Sequence, residues 1–306
     1  MSDLLTIAAP RERIRRPTFW LACLVLAATW FLFEKAGASI WATKFGTSLF
    51  SWLWLAWHDE IIDAAQGRYV PWISLGLLIW RRQAILRWPA TTDWRALYLV
   101  AGALGLHWIG MRGQIPRASV IAFIFLLWSM AWLFQGWHRA REMAFPFAFL
   151  IFMIPMNFLE TIVAFPLRLA VTKIAVSLSH LLGISVVREG TRIHNMARTF
   201  EYDVAPACGG IRSLTSMVMI SVLAGYVTQD RSWKKAVIFI ASIPLAIVAN
   251  VTRLMIIILS AQWFGQTGGN WVHEHLGIVS YLVVIVLLFM LCSFLETPSG
   301  HKSPPL

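Results

Sequence analysis

Cys208 stands in surroundings that suit a nucleophile. It precedes an apolar helical run, Gly209 and Gly210 follow it, and Arg212 comes four residues later. A helix N-terminus and a nearby arginine both lower the pKa of a thiol, and glycine N–H groups close by can stabilise an oxyanion. The pattern predicts a reactive thiolate, although a structural cysteine beside a flexible turn explains these four residues equally well.

Arg253 is the second candidate, because it lies inside an apolar run of helical length. A guanidinium within a membrane span costs at least several kcal/mol unless it faces a polar cavity or partner, so it marks a functional site by default. Asn250, three residues earlier, shares its helix face and is placed to orient it. The alternative is an arginine that extends to the nearer membrane surface.

Two histidines, His273 and His275, follow in a segment that the pattern indicates is a loop, with Glu274 between them. A neutral imidazole takes up and returns a proton, which acyl transfer by a cysteine requires. We assign this role to His273 and keep His275 as its rival; an isolated loop histidine is more often an ordinary surface residue. The pair lacks further ligands at zinc spacing, so we expect neither a metal nor another cofactor.

Other polar residues carry less weight. Asn157 and Glu160 lie three residues apart in an apolar run, where they either line the same cavity or satisfy carbonyls freed by a kink. His107, Glu201 and Asp203 are possible substrate contacts, and a structural role is the more common one for each. Cys23 and Cys292 lie in apolar helical runs and are interpreted as packing residues.

The composition defines the elements that must position these residues. Of 306 residues, 58% are hydrophobic and 13% are charged, against about 25% charged in soluble domains. A soluble enzyme is excluded, and the pattern predicts an all-α polytopic membrane protein. The net charge of +11 comes from basic residues between apolar runs, which indicates loops at an anionic membrane surface rather than nucleic-acid binding.

Eight apolar runs predict about eight transmembrane helices. They lie at roughly 18–34, 69–80, 94–110, 118–135, 143–165, 211–227, 235–262 and 275–295. Prolines punctuate the fifth run, so we expect that helix to be kinked.

The positive-inside rule orients the chain with both termini in the cytoplasm. Arg253 then lies about 27 Å of helical rise from the cytoplasmic end of its span, at the outer depth predicted for Cys208 and His273. Cys208 has no second cysteine on that side, and an unpaired thiol in an oxidising compartment is a liability unless it is used. Three candidates at one depth favour a shared site.

The long connection 166–210 separates the fifth and sixth runs. Its first part, 167–184, divides into a polar and an apolar half on a helical wheel, which predicts an amphipathic helix in the membrane interface. The next part predicts a short β-hairpin that turns at Glu189 and Gly190, followed by an extended piece. We divide the chain into an amino-terminal segment (1–67), a transmembrane catalytic core (68–295) and a disordered cytoplasmic tail (296–306).

The core resembles the exosortase/archaeosortase family of membrane cysteine transpeptidases. The resemblance rests on the Cys208 segment, on Asn250 and Arg253 as the family's N-x-x-R, and on His273 and Gly277 as its H-x-x-x-G. One departure is visible, because the commoner Cys-Ser-Gly is here Cys-Gly-Gly.

The resemblance implies that Cys208 is the nucleophile, His273 the general acid/base, and Arg253 the electrostatic partner of the thiolate or oxyanion. It further implies substrates that are secreted proteins with a C-terminal motif such as Pro-Glu-Pro, one transmembrane helix and a basic tail. A lipid or glycan acceptor would receive the new C-terminus at the outer face of a prokaryotic plasma membrane. The competing class is a transporter or lipid-binding protein that uses Arg253 to bind an anionic substrate.

Overall fold

The computed structural model describes residues 16–37, 48–59, 64–156, 160–203, 211–275 and 277–296. Contacts divide the chain into two compact units. Unit 1 contains the described residues up to Trp54 together with Leu75–Ile151, and unit 2 contains Leu55–Ser74 and the residues from Phe152 onward.

The secondary structure is mainly helical. In chain order the α-helices are α1 (Arg16–Ala36), α2 (Leu49–His58), α3 (Val70–Trp80), α4 (Arg82–Leu86), α5 (Ala96–Arg112), α6 (Pro116–Gln135), α7 (Trp137–Phe149), α8 (Phe165–Leu181), α9 (Ile211–Thr228), α10 (Ser232–His275) and α11 (Gly277–Leu295). Two 3-10 helices (Ala65–Tyr69 and Leu150–Met153), a π-helix (Glu160–Ala164) and three strands, β1 (Val186–Glu189), β2 (Arg192–Asn195) and β3 (Glu201–Asp203), complete the described elements.

Three helical segments of the described chain are long and apolar enough to cross a membrane, namely Pro116–Gln135, Ile162–Leu181 and Ser232–His273. Leu214–Thr228 and Leu282–Leu295 are shorter apolar helices. The chain is therefore a polytopic, predominantly helical membrane protein. The other predicted spans are not among these three segments, so the number of eight stays a prediction.

The segment Ile162–Leu181 differs from the interfacial helix predicted over 167–184. Its apolar residues Ile174 and Leu178 are exposed, whereas the polar Thr172 is fully buried. In a bilayer, exposed apolar side chains face lipid and polar ones face the protein interior. The segment is thus suited to cross the membrane, and the interfacial placement is not supported.

The fifth predicted span, 143–165, is not a single helix. Helix α7 ends at Phe149, the 3-10 turn follows, Pro155 comes next, and the π-helix leads into α8. Proline lacks the N–H group that a continuing helix needs and clashes with the preceding turn. Where the proline pattern predicted a kink, the structure has a break.

In unit 1, α5 and α6 form a closely packed helical hairpin. A Cβ atom added to Gly110 would lie 3.0 Å from Ser119 Oγ, so the two helices approach closely there. Buried His107 places Nδ1 3.2 Å from the same hydroxyl, and its ring lies 4.3 Å from that of Phe33 in α1. These contacts support the structural interpretation of His107.

Unit 2 has a core between α8, the strands and α10. Its fully buried members include Val171 and Ala175 on α8, Ile193 on β2 and Ile258 on α10. Helix α9 packs against α10, which also packs against α11. Cys292 is buried on α11 beside Ile238, which fits the packing role expected for it.

The three strands form a small antiparallel sheet in the order β1-β2-β3. Glu189 is opposite Arg192 across the first pair, and Ile193 is opposite Tyr202 across the second. Ile193 and Tyr202 point into the core of unit 2, so one face of the sheet is fixed by hydrophobic contact.

Candidate functional site

Gly265 interrupts helix α10 and defines the site. Its backbone angles, φ 69° and ψ −170°, lie in a region open essentially only to glycine. The interruption creates a first limb, 232–264, and a second limb, 266–275. The sequence predicted a loop over 266–277, and this was wrong for 266–275, because the second limb is helical.

The second limb folds back so that His273 meets Arg253. The Nη2 atom of Arg253 donates a hydrogen bond to the backbone carbonyl of His273 over 3.4 Å. In a straight helix the 20 residues between them would span about 30 Å. Two of the three predicted catalytic residues are therefore brought together by the reversal at Gly265.

Strand β3 holds the second limb at its first residue. The backbone N–H of Glu201 donates to Gln266 Oε1 over 2.8 Å, and Gln266 Nε2 donates to the Glu201 carbonyl over 3.2 Å. The hydroxyl of Tyr202 donates to the Gln266 carbonyl over 2.9 Å. Glu201 is thus placed by a structural contact, and the sheet fixes the direction in which the limb leaves the kink.

Two glycines allow the limb to lie close to its neighbours. A Cβ atom on Gly269 would lie 2.0 Å from Tyr202 Oη and 3.0 Å from Ala261 Cβ. A Cβ atom on Gly268 would lie 2.3 Å from Phe264 Cβ. The run Gly268-Gly269 therefore permits the close approach that brings His273 back to Arg253.

Burial affects the one tyrosine in this contact. Tyr202 lies outside the membrane-spanning segments, and desolvation raises the pKa of its phenol above the ordinary value. The hydroxyl therefore stays protonated at neutral pH, as its hydrogen bond to the Gln266 carbonyl requires.

The two histidines have different surroundings. His275 is exposed, its ring stacks on Trp271 with centroids 4.9 Å apart, and its Nδ1 lies 2.9 Å from the Trp271 carbonyl. His273 is half-buried and is the residue whose carbonyl meets Arg253. Of the two histidines, His273 contacts Arg253, through its backbone carbonyl.

Arg253 itself projects from the well-packed part of the first limb. Its neighbours Val251 and Leu254 belong to the core shared with α8 and the sheet, and Asn250 on the same face is buried. A guanidinium is always protonated, so this part of unit 2 carries a fixed positive charge. The surrounding packing restricts the directions in which the Arg253 side chain can extend.

Cys208, Gly209 and Gly210 lie outside the described residues. Arg212 belongs to the first turn of α9, which begins at Ile211. The helix start predicted after the cysteine segment is therefore present. Glu160 is the first residue of the π-helix before α8.

The start of α9 has a partner that the sequence did not indicate. Gln66, in the 3-10 helix Ala65–Tyr69, donates from Nε2 to Thr215 Oγ1 over 2.9 Å. Gly67 next to it fits against Trp57, whose indole N–H donates to the Met153 carbonyl over 2.9 Å. This segment lies within unit 2, so it is part of the scaffold around the helix that follows Cys208.

Arg168 is a second polar group that the sequence did not single out. It lies on α8, within a segment apolar enough to cross a membrane, and is only 8% exposed. Its guanidinium carbon lies 5.7 Å from the ring of Phe165. The sequence placed this helix in the membrane interface, where an arginine is an ordinary residue. Arg168 therefore did not stand out as a functional candidate.

A cavity of about 490 Å³ opens beside the second limb. It is lined by Ser260, Phe264, Thr267, Gly268, Trp271 and Val272. Its accessible lining is almost entirely apolar, with the rings of Phe264 and Trp271 among its walls. Within the described part of the chain, no cluster of three or more His, Cys, Asp or Glu residues could hold a metal ion.

These features define a polytopic membrane protein with an intramembrane arginine and a histidine brought together by a broken helix. A family model described as transmembrane exosortase matches residues 57–290. The chain belongs to the transmembrane exosortase family. No curated protein and no solved structure gives a significant match.

Proposed function

We propose that this exosortase is a membrane cysteine transpeptidase with Cys208 as nucleophile, His273 as general acid/base and Arg253 as electrostatic partner of the reacting groups. The proposal depends chiefly on the contact between Arg253 and His273, together with family membership over residues 57–290. Gly209 and Gly210 offer backbone N–H groups for an oxyanion, with Arg212, Asn250, Glu160 and His275 as supporting residues.

The chemistry needs each of the three residues. His273 takes the proton of the Cys208 thiol, and Sγ attacks the carbonyl carbon of the scissile bond. The C–N bond then breaks, and the leaving amine takes the proton from His273, which leaves a thioester. An acceptor amine or water attacks the thioester carbon, gives its proton to His273, and releases the Cys208 thiolate.

The fixed charge of Arg253 suits both charged species on this path. A guanidinium in a water-poor site stabilises a thiolate or a tetrahedral oxyanion more strongly than it would in water. Arg253 also donates to the His273 carbonyl on the second limb, which supports a role in orienting that limb. An anion-binding role for Arg253 in transport would need neither Cys208 nor His273.

The proposed substrate class is the one that the resemblance to the exosortase family implies. A secreted protein with a C-terminal recognition motif, one transmembrane helix and a basic tail would enter beside the spans and present its juxtamembrane peptide to the site. The cavity beside Phe264 and Trp271 offers room for a peptide or for the acceptor. We place the site on the outer side of a prokaryotic plasma membrane, with both termini in the cytoplasm.

The test uses a secreted reporter that ends in a proline-containing motif, an apolar helix and an arginine cluster, expressed together with the full chain. We expect Cys208→Ala to leave the full-length reporter in the membrane, detected by immunoblot. Cys23→Ala and Cys292→Ala are matched controls that should process normally. Retained processing in Cys208→Ala would refute the nucleophile assignment and favour the anion-binding alternative.

The predicted side of the membrane has its own test. A membrane-impermeant thiol reagent, applied to intact cells of the Cys23→Ala/Cys292→Ala variant, should label Cys208. Labelling only after lysis would show that the orientation is opposite to the one proposed, and it would not bear on the proposed chemistry.

A further inference from the structure

Unit 1 contains a group of arginines that the proposed reaction does not use. Arg81 forms an ion pair with Glu142, and Arg87 Nη2 lies 2.9 Å from the other oxygen of the same carboxylate. Arg139 Nε donates to the Trp88 carbonyl over 2.7 Å. We name Arg81, Arg87 and Arg139 the arginine cluster.

Aromatic rings hold the cluster in place. The rings of Trp88 and His138 stack with centroids 4.7 Å apart, and the Arg87 guanidinium lies 5.2 Å from the Trp88 ring. Because Trp88 also receives the bond from Arg139, it links two of the three guanidinium groups. The cluster is therefore an arranged set of donors rather than a collection of unrelated surface side chains.

Positive charge exceeds negative charge around this cluster. Residues 80–95 and 135–142 together contain six arginines and two carboxylates. Glu142 is shared by Arg81 and Arg87, and Asp93 accepts hydrogen bonds from Trp132 Nε1 and from the Arg95 backbone N–H. Both carboxylates are thus engaged within the fold, and an additional anion would complete the charge balance.

The location of the cluster matches the surface of a bilayer. Helix α6, which is long and apolar enough to span, ends at Gln135, and the backbone N–H of Asp93 donates to the Leu133 carbonyl near that end. Three exposed tryptophans belong to the same two segments of the chain as the cluster, namely Trp80, Trp94 and Trp137. Tryptophan is enriched at the level of lipid headgroups.

A glycine keeps the two halves of this surface together. Gly136 has φ 83°, and a Cβ atom on it would lie 2.1 Å from Thr91 Oγ1. The loop that follows Trp88 can therefore lie directly against the start of α7, which carries His138 and Arg139.

We propose that the arginine cluster binds the phosphate group of an anionic phospholipid at the end of α6 in unit 1. Guanidinium groups match phosphate oxygens with paired hydrogen bonds, and partial desolvation by the flanking tryptophans strengthens those bonds. A lipid is the occupant because the cluster lies where a span ends, in segments that also carry exposed tryptophans. This site is separate from the residues assigned to catalysis.

The first experiment measures lipid retention by the purified full chain in native mass spectrometry. After exchange with phosphatidylglycerol or phosphatidylcholine at equal concentration, we expect preferential retention of phosphatidylglycerol. Equal retention of the two lipids would overturn the proposal, and this comparison needs no variant. If millimolar inorganic phosphate alone protects the protein from thermal unfolding as well as phosphatidylglycerol does, the site serves a soluble anion and the lipid assignment is overturned.

Variants then locate the site. Arg87→Gln/Arg139→Gln should bind phosphatidylglycerol roughly 25-fold more weakly, since each arginine near the surface contributes about fivefold. Arg188→Gln/Arg198→Gln removes two exposed arginines of unit 2 and should bind as the unaltered protein does. An equal loss in both double variants would show a general charge effect and overturn the assignment.

Glu142→Gln separates lipid binding from a structural role of the cluster. It releases Arg81 and Arg87 from their carboxylate, so retention of phosphatidylglycerol should rise or stay unchanged even if thermal stability falls. A loss of retention as large as that of the double arginine variant would mean that the cluster is only a structural ion-pair network.

Discussion

The guanidinium of Arg253 donates a hydrogen bond to the backbone carbonyl of His273, although 20 residues of one interrupted helix separate them. The contact exists because the chain reverses at Gly265 and because Gly269 fits beneath Tyr202. A backbone carbonyl is an acceptor that any residue at 273 would supply. The contact therefore positions the second limb, and the imidazole of His273 is held on a limb that Arg253 helps to fix.

Gly265→Ala tests whether the reversal is required. Alanine at φ 69° and ψ −170° is strained by about 1–3 kcal/mol, so we expect the second limb to move away from Arg253. Processing of the reporter should fall strongly, and the midpoint of thermal unfolding should decrease.

Gly102→Ala is the matched control for this change. Gly102 lies in α5, and apart from its chain neighbours and the backbone of its own helix nothing lies within 4 Å of where its Cβ would be. Processing in Gly102→Ala should equal that of the unaltered protein. If Gly265→Ala processes equally well, the reversal does not matter for activity.

Gly269→Ala tests the close approach of the limb to β3. Its Cβ would lie 2.0 Å from Tyr202 Oη, and such overpacking costs about 1–3 kcal/mol. Tyr202→Phe removes that oxygen together with its hydrogen bond to Gln266. We expect the double variant to lose less stability than the sum of the losses in the two single variants, as measured by thermal unfolding in detergent. Strict additivity would contradict this contact.

Asp93 gives unit 1 a defined response to acid. Hydrogen bonds from Trp132 and from the Arg95 backbone lower the pKa of Asp93 below its ordinary value. Its stabilising contribution is therefore complete above the ordinary pKa and is lost as the pH falls below about 4 toward the lowered value. Asp93→Asn should lower the unfolding temperature at pH 7 and reduce its decrease between pH 5 and pH 3; an unchanged acid response would contradict this assignment.

The sequence predicted the helical membrane class and placed Arg253 and His273 at one depth of the membrane, because an arginine in an apolar run and a conspicuous histidine are visible without a structure. The reversal itself was missed. The segment after Gly265 contains Gly268 and Gly269, which indicate a loop when each residue is judged by its own propensity. Packing against Tyr202 and Ala261 makes this segment helical, and those contacts are 67 and 8 residues away from Gly269 in the chain.

The prediction that α8 lies in the membrane interface failed for the same reason, because the sequence alone does not show tertiary contacts. A helical wheel with a polar half and an apolar half describes both an interfacial helix and a span whose polar side faces protein. Thr172 and Arg168 are buried against other elements, and only tertiary contacts reveal this. The hydrogen bond between Gln66 and Thr215 was likewise invisible, since no local pattern links residues 149 positions apart.

Arg253 should act through its charge as well as through its contact with the limb. We expect Arg253→Gln to lower kcat/KM for reporter cleavage by about 10²–10³-fold, and Arg253→Lys to recover part of this loss. Arg231→Gln, an exposed arginine just before α10, is the control and should process normally. Alkylation of Cys208 at neutral pH should also slow in Arg253→Gln, because a thiolate near the guanidinium would lose its stabilising charge. Unchanged alkylation and cleavage would remove Arg253 from the proposed reaction.

His273 and His275 can be separated by single substitutions because their surroundings differ. His275 stacks on Trp271 at the exposed side of the limb, so His275→Ala should process the reporter within a few-fold of the unaltered protein. His273→Ala should lose about 10²–10⁴-fold in rate, the usual contribution of a general acid/base. His273→Ala keeps the carbonyl that Arg253 binds, so thermal unfolding should change little while the pH dependence of cleavage changes. The reverse ranking of the two variants would assign the proton transfer to His275 instead.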